Sequence, residues 1–290
     1  MDNVNWEQIF FYNDIMAYAQ YLSVHYSDYI KIDIVGRSLD GRPIILLLVG
    51  LGEDSVFLTG GVHGRESLNP MVLLSMMEYY CEEKKKELEK IRFVVVPVLN
   101  PDGYSIALQG FDIIENRKLR SIIEAKGIPY YLWKYNGRGI DINRNFPCSL
   151  WRKKDALDIA ASEPETKLLI SLFQEIRSIG YLDYHSRGKQ IYYYRNSMPA
   201  EYNVQQLELA MIIKDMTGYV LVPKKDEIDV GDSGGNTVHY YAEFICNPAF
   251  TIETVDDCAF FPLSALYQRE IFKEIKMTPF VFLHSASHYQ

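Results

Sequence analysis

The sequence has no excess of basic charge and no long apolar run. Its 290 residues contain 30 Lys and Arg against 38 Asp and Glu, a formal net charge of −8. Nucleic-acid and anionic-membrane binders need a basic face, so this balance excludes those partners. A membrane-spanning helix would need a run of about 18 apolar residues, and none occurs. With 48% hydrophobic and 23% charged residues, the composition is that of a globular protein.

Cysteine is also scarce, and its spacing fits no metal-binding pattern. The four cysteines stand far apart, at Cys81, Cys148, Cys246 and Cys258. We interpret them as free thiols in a reducing compartment, although two disulfides remain possible. The first ten residues include Asp2 and Glu7 and lack a basic region followed by an apolar one, so we do not expect them to be a signal peptide. We therefore expect a cytoplasmic protein, unless a signal has been removed.

Strand-like and helix-like segments alternate along the chain. Short apolar runs predict strands at 44–49, 56–60, 92–99, 181–185 and 249–254. Longer segments predict helices at 69–90, 163–179, 202–216 and 263–275. The alternation predicts an α/β fold with a central mixed, mostly parallel twisted sheet flanked by helices. In such sheets the reactive groups lie beyond the carboxyl ends of the strands.

A histidine and a glutamate stand where the strand at 56–60 leads into a helix. His63 and Glu66 can reach one metal ion together, although such a pair is a weak signal alone. A catalytic zinc normally takes three protein ligands. His185 ends another predicted strand and is the natural third ligand. As a single residue it could also be a structural histidine.

Two further groups suit hydrolysis. Glu253 lies late in an apolar strand, where a charge is costly unless it is paired or functional. It could be the general base that a metal-bound water requires. Asn143 and Arg144 follow a turn at 136–139, and arginine binds a carboxylate through two parallel hydrogen bonds. A Glu that reaches solvent and a structural loop Arg are the simpler alternatives.

Seven short motifs occur in a fixed order along most of the chain. They are GRSLDGRPI at 36–44, HGRE at 63–66, NPDGY at 100–104, DINRNF at 141–146, YHS at 184–186, SGG at 233–235 and TIE at 251–253. Each is modest alone, but together they closely resemble the zinc carboxypeptidase family, peptidase family M14. Since the motifs follow the order of one catalytic fold, we expect a single domain over residues 1–290.

The resemblance implies a role for each matching residue. It implies that His63, Glu66 and His185 bind one Zn²⁺ ion, and that Glu253 activates the zinc-bound water. Asn143 and Arg144 would hold a free carboxylate on the leaving side of a peptide substrate. Arg65 would line the site near that carboxylate or the catalytic glutamate.

The sequence departs from the family at two places. The family arginine that stabilises the oxyanion lies in a segment where this chain has Lys134, and Arg120 is an alternative that we favour slightly. The mobile tyrosine of digestive carboxypeptidases is replaced by Val230, and their pocket-floor position falls at Thr237. Neither an aspartate nor a large apolar residue stands there, which argues against the digestive specificity classes.

Other segments resemble the short-loop bacterial branch of the family. These segments are 133–146, 185–188 and 253–263. That branch includes γ-D-glutamyl-meso-diaminopimelate peptidases, which cut cell-wall stem peptides, and Arg187 could bind one of the several carboxylates of such a substrate. The alternatives are a general metallocarboxypeptidase that removes C-terminal residues and a non-catalytic peptide- or sugar-binding protein. The sequence does not indicate the oligomeric state.

Overall fold

An eight-stranded mixed sheet forms the centre of the fold. The computed structural model describes residues 4–154, 156–228 and 234–286. The strands are β1 (Ile30–Arg37), β2 (Pro43–Val49), β3 (Asp54–Thr59), β4 (Ile91–Val96), β5 (Gly180–Ser186), β6 (Gln190–Tyr192), β7 (Val220–Leu221) and β8 (Ala249–Thr254). They lie in the order β1-β2-β4-β3-β5-β8-β6-β7. The central strands β4, β3, β5 and β8 run parallel, while β2 and β6 join them antiparallel. The predicted mixed α/β sheet is confirmed.

Helices follow most of the strands. In the described residues they are α1 (Tyr12–His25), α2 (Asn69–Glu83), α3 (Lys85–Leu88), α4 (Pro101–Gln109), α5 (Arg117–Glu124), α6 (Pro164–Glu175), α7 (Ala200–Thr217), α8 (Thr237–Ile245), α9 (Tyr267–Ile275) and α10 (Thr278–Ala286). The helix predicted at 69–90 is divided at Lys84, whose φ of −129° is not helical. The helix predicted at 263–275 begins only at Tyr267.

Strand β3 shows why the central strands carry continuous apolar runs. Val56 and Leu58 pack in a core on one face of the sheet, and Phe57 packs in a core on the other. All three side chains are fully buried. Since both faces are covered, neither requires polar residues. The parallel strands β3, β5 and β8 end at the same edge, so the segments that follow them come together.

The four cysteines are free thiols in the structure. Cys81 and Cys148 are buried, and Cys246 and Cys258 are exposed. Within the three described ranges, no helix combines the length and the apolar character needed to cross a membrane. The domain limits 1–290 and the cytoplasmic location stay predictions.

Glu165 in α6 is fully buried and accepts a hydrogen bond from Asn136 Nδ2 at 3.3 Å. Burial raises its pKa from 4.5 to about 8. Because the folded protein then binds this proton more tightly than the unfolded chain, its contribution is full below pH 4.5 and is lost as the pH rises towards 8. The loss is at most about 1.4 kcal/mol per pH unit. We therefore expect the free energy of unfolding of Glu165→Gln, measured in urea, to increase relative to that of the wild type as the pH is raised from 5 to 8.5.

Glu175 is exposed on the same helix and provides the matched control. Glu175→Gln is expected to leave the pH dependence of unfolding unchanged. A profile for Glu165→Gln that runs parallel to the wild-type profile would contradict the assignment.

Candidate active site

The loop after β3 carries His63 and Glu66, and its backbone packs tightly against α4. The amide of Gly64 donates to the carbonyl of Lys134 at 3.3 Å. A Cβ atom on Gly64 would stand 2.1 Å from the carbonyl oxygen of Gly103, far inside contact distance. Only glycine permits this approach, so position 64 determines where the two candidate ligands stand.

His63, Glu66 and His185 converge on one point. Nδ1 of His63 lies 2.7 Å from Oε1 of Glu66, and Nδ1 of His185 lies 3.0 Å from Oε2. The candidate ligand atoms of the three side chains all lie within 4.8 Å of one another. Two imidazole nitrogens and one carboxylate oxygen are a donor set that suits catalytic zinc and leaves a coordination position for water. The residues therefore fit one zinc ion.

A further carboxylate lies behind each imidazole ring. Nε2 of His63 is 3.2 Å from Oδ1 of Asp141, and Nε2 of His185 is 3.0 Å from Oδ2 of Asp183. Such outer carboxylates orient metal-binding histidines. The sequence analysis assigned neither aspartate a role. Asp183 precedes His185 by two residues in β5, where alternate residues share a face, so its spacing was an available signal.

Burial and charge oppose each other within this cluster. Burial acts to lower the pKa of His63 and His185, but the neighbouring carboxylates outweigh it and raise both pKa values. Burial acts to raise the pKa of Glu66, yet the two histidines hold it well below its usual range. For Glu253, burial and the charge of Glu66 raise the pKa to about 8. A carboxylate with a raised pKa is a stronger proton acceptor.

A cavity of about 210 Å³ joins this cluster to three other candidate site residues. His63, Glu253, Asn143 and Arg144 all line it. Glu253 is the register partner of His185 in the β5–β8 pairing. Its Oε2 atom is buried and has no hydrogen-bond partner among the described residues. An unpaired carboxylate beside a candidate metal cluster is placed to exchange protons with a reacting group.

A short 3₁₀ turn presents Asn143 and Arg144 to the cavity. Asp141 caps the turn by accepting the amide of Asn143 at 3.0 Å, and Nη1 of Arg144 donates to the carbonyl of Asn143 at 2.7 Å. Oδ1 of Asn143 accepts the amide of Thr237 at 3.1 Å. Since Asp141 also contacts His63, one carboxylate positions both the metal cluster and the candidate carboxylate clamp.

Thr237 is not the floor of the cavity, which corrects the predicted substrate contact. Its side chain is fully buried, and its hydroxyl donates to Asp183. It is absent from the cavity lining within the described part of the chain. Thr237 thus orients the carboxylate behind His185. Val230 and Ser233 lie outside the described residues.

Arg65 and Arg187 both approach the ring of Phe261. Their guanidinium carbons lie 4.6 and 5.8 Å from its centre. The Nε atom of each arginine is buried without a hydrogen-bond partner in the described ranges. Arg187 also has a loose ion pair with the exposed Asp257, at 3.3 Å. The two cations therefore form a pair around one aromatic ring, and each is within two residues of a candidate zinc ligand in sequence.

Arg120 is not brought to the site, which corrects the slight preference for it as the oxyanion donor. Its guanidinium donates to the carboxylate of Asp112 at 3.0 Å and to the carbonyl of the same residue at 2.9 Å, so it fastens that loop to α5. Nζ of Lys134 instead lies 2.7 Å from Oδ2 of Asp141, the carboxylate behind His63. Lys134 thus lies beside the candidate zinc cluster, whereas Arg120 does not, and the choice of Lys134 as the oxyanion donor stays a prediction.

Comparison with known proteins places the chain in a family. The model of the family described as zinc carboxypeptidase matches residues 15–278. The chain belongs to the zinc carboxypeptidase family. The resemblance carried by the seven motifs is thereby confirmed, whereas the assignment to the bacterial branch stays a prediction.

Relatives of this zinc carboxypeptidase-family chain include both bacterial and animal proteins. It is 30% identical to the uncharacterized protein YqgT of Bacillus subtilis over 196 residues, which cover 58% of this chain and 51% of the relative. It is 27% identical to carboxypeptidase B2 of Rattus norvegicus over 222 residues, which cover 68% and 48%. The chain thus spans about half the length of these curated relatives.

Solved structures share the fold at low identity. Bovine thrombin-activatable fibrinolysis inhibitor in complex with tick carboxypeptidase inhibitor superposes with a TM-score of 0.78 and 20% identity, covering 98% of this chain and 99% of that one. A metallo-carboxypeptidase from Burkholderia cenocepacia gives a TM-score of 0.66 and 14% identity, covering 97% and 71%. At these identities the comparison supports the fold alone.

Lys134 and Arg120 can be separated by matched substitutions. Lys134→Met removes the cation beside Asp141 and is expected to lower kcat/KM or zinc affinity by about 10- to 100-fold, as loss of a group behind a metal ligand does. Arg120→Met is expected to keep activity within about twofold, because the contacts of Arg120 lie in a surface loop. Peptide hydrolysis and zinc content of both variants provide the measurement. A larger loss of activity for Arg120→Met than for Lys134→Met would support Arg120 as the oxyanion donor after all.

Proposed function

We propose that this protein is a zinc-dependent peptidase that hydrolyses an amide bond next to a free carboxylate. The proposed substrates are cell-wall stem peptides cut between γ-D-glutamate and diaminopimelate. One observation carries the proposal: a single cavity is lined by a candidate zinc ligand, by Glu253 and by the pair Asn143 and Arg144. These are the parts that hydrolysis of an amide with a carboxylate on its leaving side requires.

The proposed mechanism assigns a task to each group. His63, Glu66 and His185 would hold zinc, which when bound supplies a Lewis acid for water and for the scissile carbonyl. Glu253 takes a proton from the attacking water and passes it to the leaving amine, so that one water molecule is added across the amide bond. Arg144 and Asn143 hold the carboxylate of the leaving residue and fix the bond for attack.

The arginines around Phe261 support the narrower substrate. A γ-linked glutamate keeps its own carboxylate free on the acyl side of the scissile bond, and an ordinary peptide has none at that place. Arg65 and Arg187 provide two cations next to the candidate ligands, and both have an unpartnered Nε. We propose that Arg187 binds this second carboxylate.

A panel of stem tripeptide, stem tetrapeptide and hippuryl-type peptides tests the proposal, with the products identified by mass. Cleavage between γ-D-glutamate and diaminopimelate is expected. Arg187→Ala is expected to lower kcat/KM on the γ-D-glutamyl substrate about tenfold or more, because one hydrogen bond between charged groups is lost. On the hippuryl-type substrate, which lacks the second carboxylate, kcat/KM should fall much less. Equal losses on both substrates would remove Arg187 from this role.

Removal of C-terminal residues from ordinary peptides is the second candidate function. It is favoured by the carboxypeptidase names of several relatives and by the position of Arg144 in the cavity. Preferential cleavage of the hippuryl-type peptides in the same panel would support this candidate over the stem-peptide proposal.

A further inference from the structure

Three polar side chains beside the candidate zinc cluster form a closed ring of hydrogen bonds. Nδ2 of Asn69 donates to Oγ of Ser186 at 3.2 Å, and Oγ1 of Thr254 donates to Oδ1 of Asn69 at 2.9 Å. The hydroxyl oxygens of Ser186 and Thr254 lie 2.8 Å apart, which closes the ring. All three residues are buried. We call this group the Asn69 ring, and the proposed reaction assigns none of its members a task.

The donors and acceptors of the Asn69 ring have one consistent arrangement. Nδ2 of Asn69 also donates to the carbonyl oxygen of His185 at 2.8 Å. Because that oxygen can only accept, the side-chain amide of Asn69 cannot be turned round. The proton of Thr254 is directed to Oδ1 of Asn69 and to the same carbonyl, so the Ser186 hydroxyl donates to Thr254. Hydrogen bonds that run in one direction polarise one another, and a fully satisfied buried network is rigid.

Each member of the ring closely follows one of the candidate catalytic groups in sequence. The pairs are Asn69 after Glu66, Ser186 after His185, and Thr254 after Glu253. The sheet pairs β5 with β8 as far as Ser186 and Thr254, but its ladder does not include the segment with Glu66. Asn69, at the start of α2, brings that segment into the ring, and the amide of Ser186 donates to Oε2 of Glu66 at 3.1 Å. The ring therefore ties three separate elements together at the site.

The ring acts directly on the backbone of a candidate zinc ligand. The carbonyl of His185 accepts from Nδ2 of Asn69 at 2.8 Å and from Oγ1 of Thr254 at 3.0 Å. Since Thr254 is bonded in sequence to Glu253, the same contacts set how far the candidate base stands from this ligand. Displacement of a reacting group by about 1 Å can cost about 100-fold in rate, so this separation has to be held closely.

We infer that Asn69 and Thr254 are positioning residues that hold Glu253 in a fixed geometry with respect to His185. Neither Asn69 nor Thr254 lines the cavity within the described part of the chain, so they act through their neighbours and do not touch the substrate. Both residues also lie outside the seven sequence motifs. The inference rests on the proposed function, because it takes its zinc ligand and its base from that mechanism.

Thr254→Val tests the inference, because it keeps the shape of the side chain and opens the ring at one atom. In the zinc-loaded protein, kcat is expected to fall about 10- to 100-fold, while KM stays within about threefold because the carboxylate clamp is untouched. Release of zinc to a chelator, measured without substrate, should be about tenfold faster. Thr254→Ser keeps the hydroxyl and should stay within about threefold of the wild type in both. A wild-type value of kcat or of zinc release in Thr254→Val would overturn the inference.

Thr278→Val is the matched control for lost stability. Thr278 is also fully buried, and its hydroxyl is 2.6 Å from the hydroxyl of Tyr184 and donates to the carbonyl of Ile275 at 2.8 Å. Thr278→Val should lower the urea midpoint of unfolding as Thr254→Val does, yet keep kcat and zinc release within about twofold. Equal losses of kcat in the two variants would mean that the ring contributes stability alone, and would overturn the inference.

A double-mutant cycle tests whether the ring acts as a unit. Asn69→Ala opens the ring at two atoms, so adding Thr254→Val to it should cost at most about threefold more in kcat, much less than Thr254→Val costs alone. Losses that multiply would contradict a shared ring. If Asn69→Ala does not fold, Ser186→Ala takes its place in the cycle.

The two proposals fail separately, because zinc release needs no substrate and kcat is measured on whichever peptide of the panel is cut. If stem peptides are not cut but Thr254→Val releases zinc faster than Thr278→Val, the substrate proposal fails and the inference stands. If stem peptides are cut and Thr254→Val behaves as the wild type, the inference fails and the proposed function stands.

Discussion

Glu253→Gln is expected to lower kcat by about 10²- to 10⁴-fold, the usual contribution of a general base. The substitution keeps the shape of the side chain and removes its ability to accept a proton. Glu253 stands outside the cluster of His63, Glu66 and His185, so the zinc content should stay at the wild-type level. Steady-state kinetics on the best peptide of the panel, together with metal analysis, provide the measurement.

Glu66→Gln is the matched comparison, because the same chemical change is made at a candidate ligand. It should remove both zinc and activity, whereas Glu253→Gln should remove activity alone. Full activity of Glu253→Gln would exclude Glu253 as the base. A protein that contains no zinc as purified and gains no activity when zinc is added would favour a binding protein on this scaffold.

The convergence of the candidate ligands could be predicted from sequence because parallel strands end at a common edge. His185 and Glu253 belong to predicted strands that became β5 and β8, and they are direct register partners in the sheet. His63 and Glu66 follow β3, the neighbour of β5. Periodicity locates the strand ends, and the topology of a parallel sheet brings them together.

The site predictions that the structure corrects concern side chains whose positions depend on contacts with residues far away in sequence. Arg120 and Lys134 both stand near matching motifs, and only the folded chain shows that Lys134 reaches Asp141. Thr237 occupies the expected place in sequence, but its hydroxyl is directed to Asp183, 54 residues away. Glu227 lines the cavity, although it belongs to a segment without a motif. No local pattern encodes these contacts, since they depend on how separate elements pack.

Arg144→Met is expected to lower kcat/KM at least about 100-fold on substrates with a free carboxylate on the leaving residue, mainly through KM. Two hydrogen bonds to a charged group are lost, each worth about 1.5–3 kcal/mol. KM should rise while kcat changes little, because the carboxylate is held equally in the substrate complex and in the transition state. Kinetics on a peptide that ends in a free carboxylate and on the same peptide ending in an amide provide the measurement.

The amide substrate makes the prediction specific to the carboxylate. The wild-type protein should have a higher kcat/KM on the free acid than on the amide, by about the same factor by which Arg144→Met lowers kcat/KM on the acid. In Arg144→Met this preference should disappear. A double-mutant cycle, with the change of substrate as its second mutation, gives this result when two groups interact directly. Arg144→Lys keeps the charge without the planar fork and should fall between the two. An equal loss on the acid and the amide would mean that Arg144 supports the turn at Asn143 and does not bind the substrate. The role of holding the leaving carboxylate would then have to be assigned to another cation.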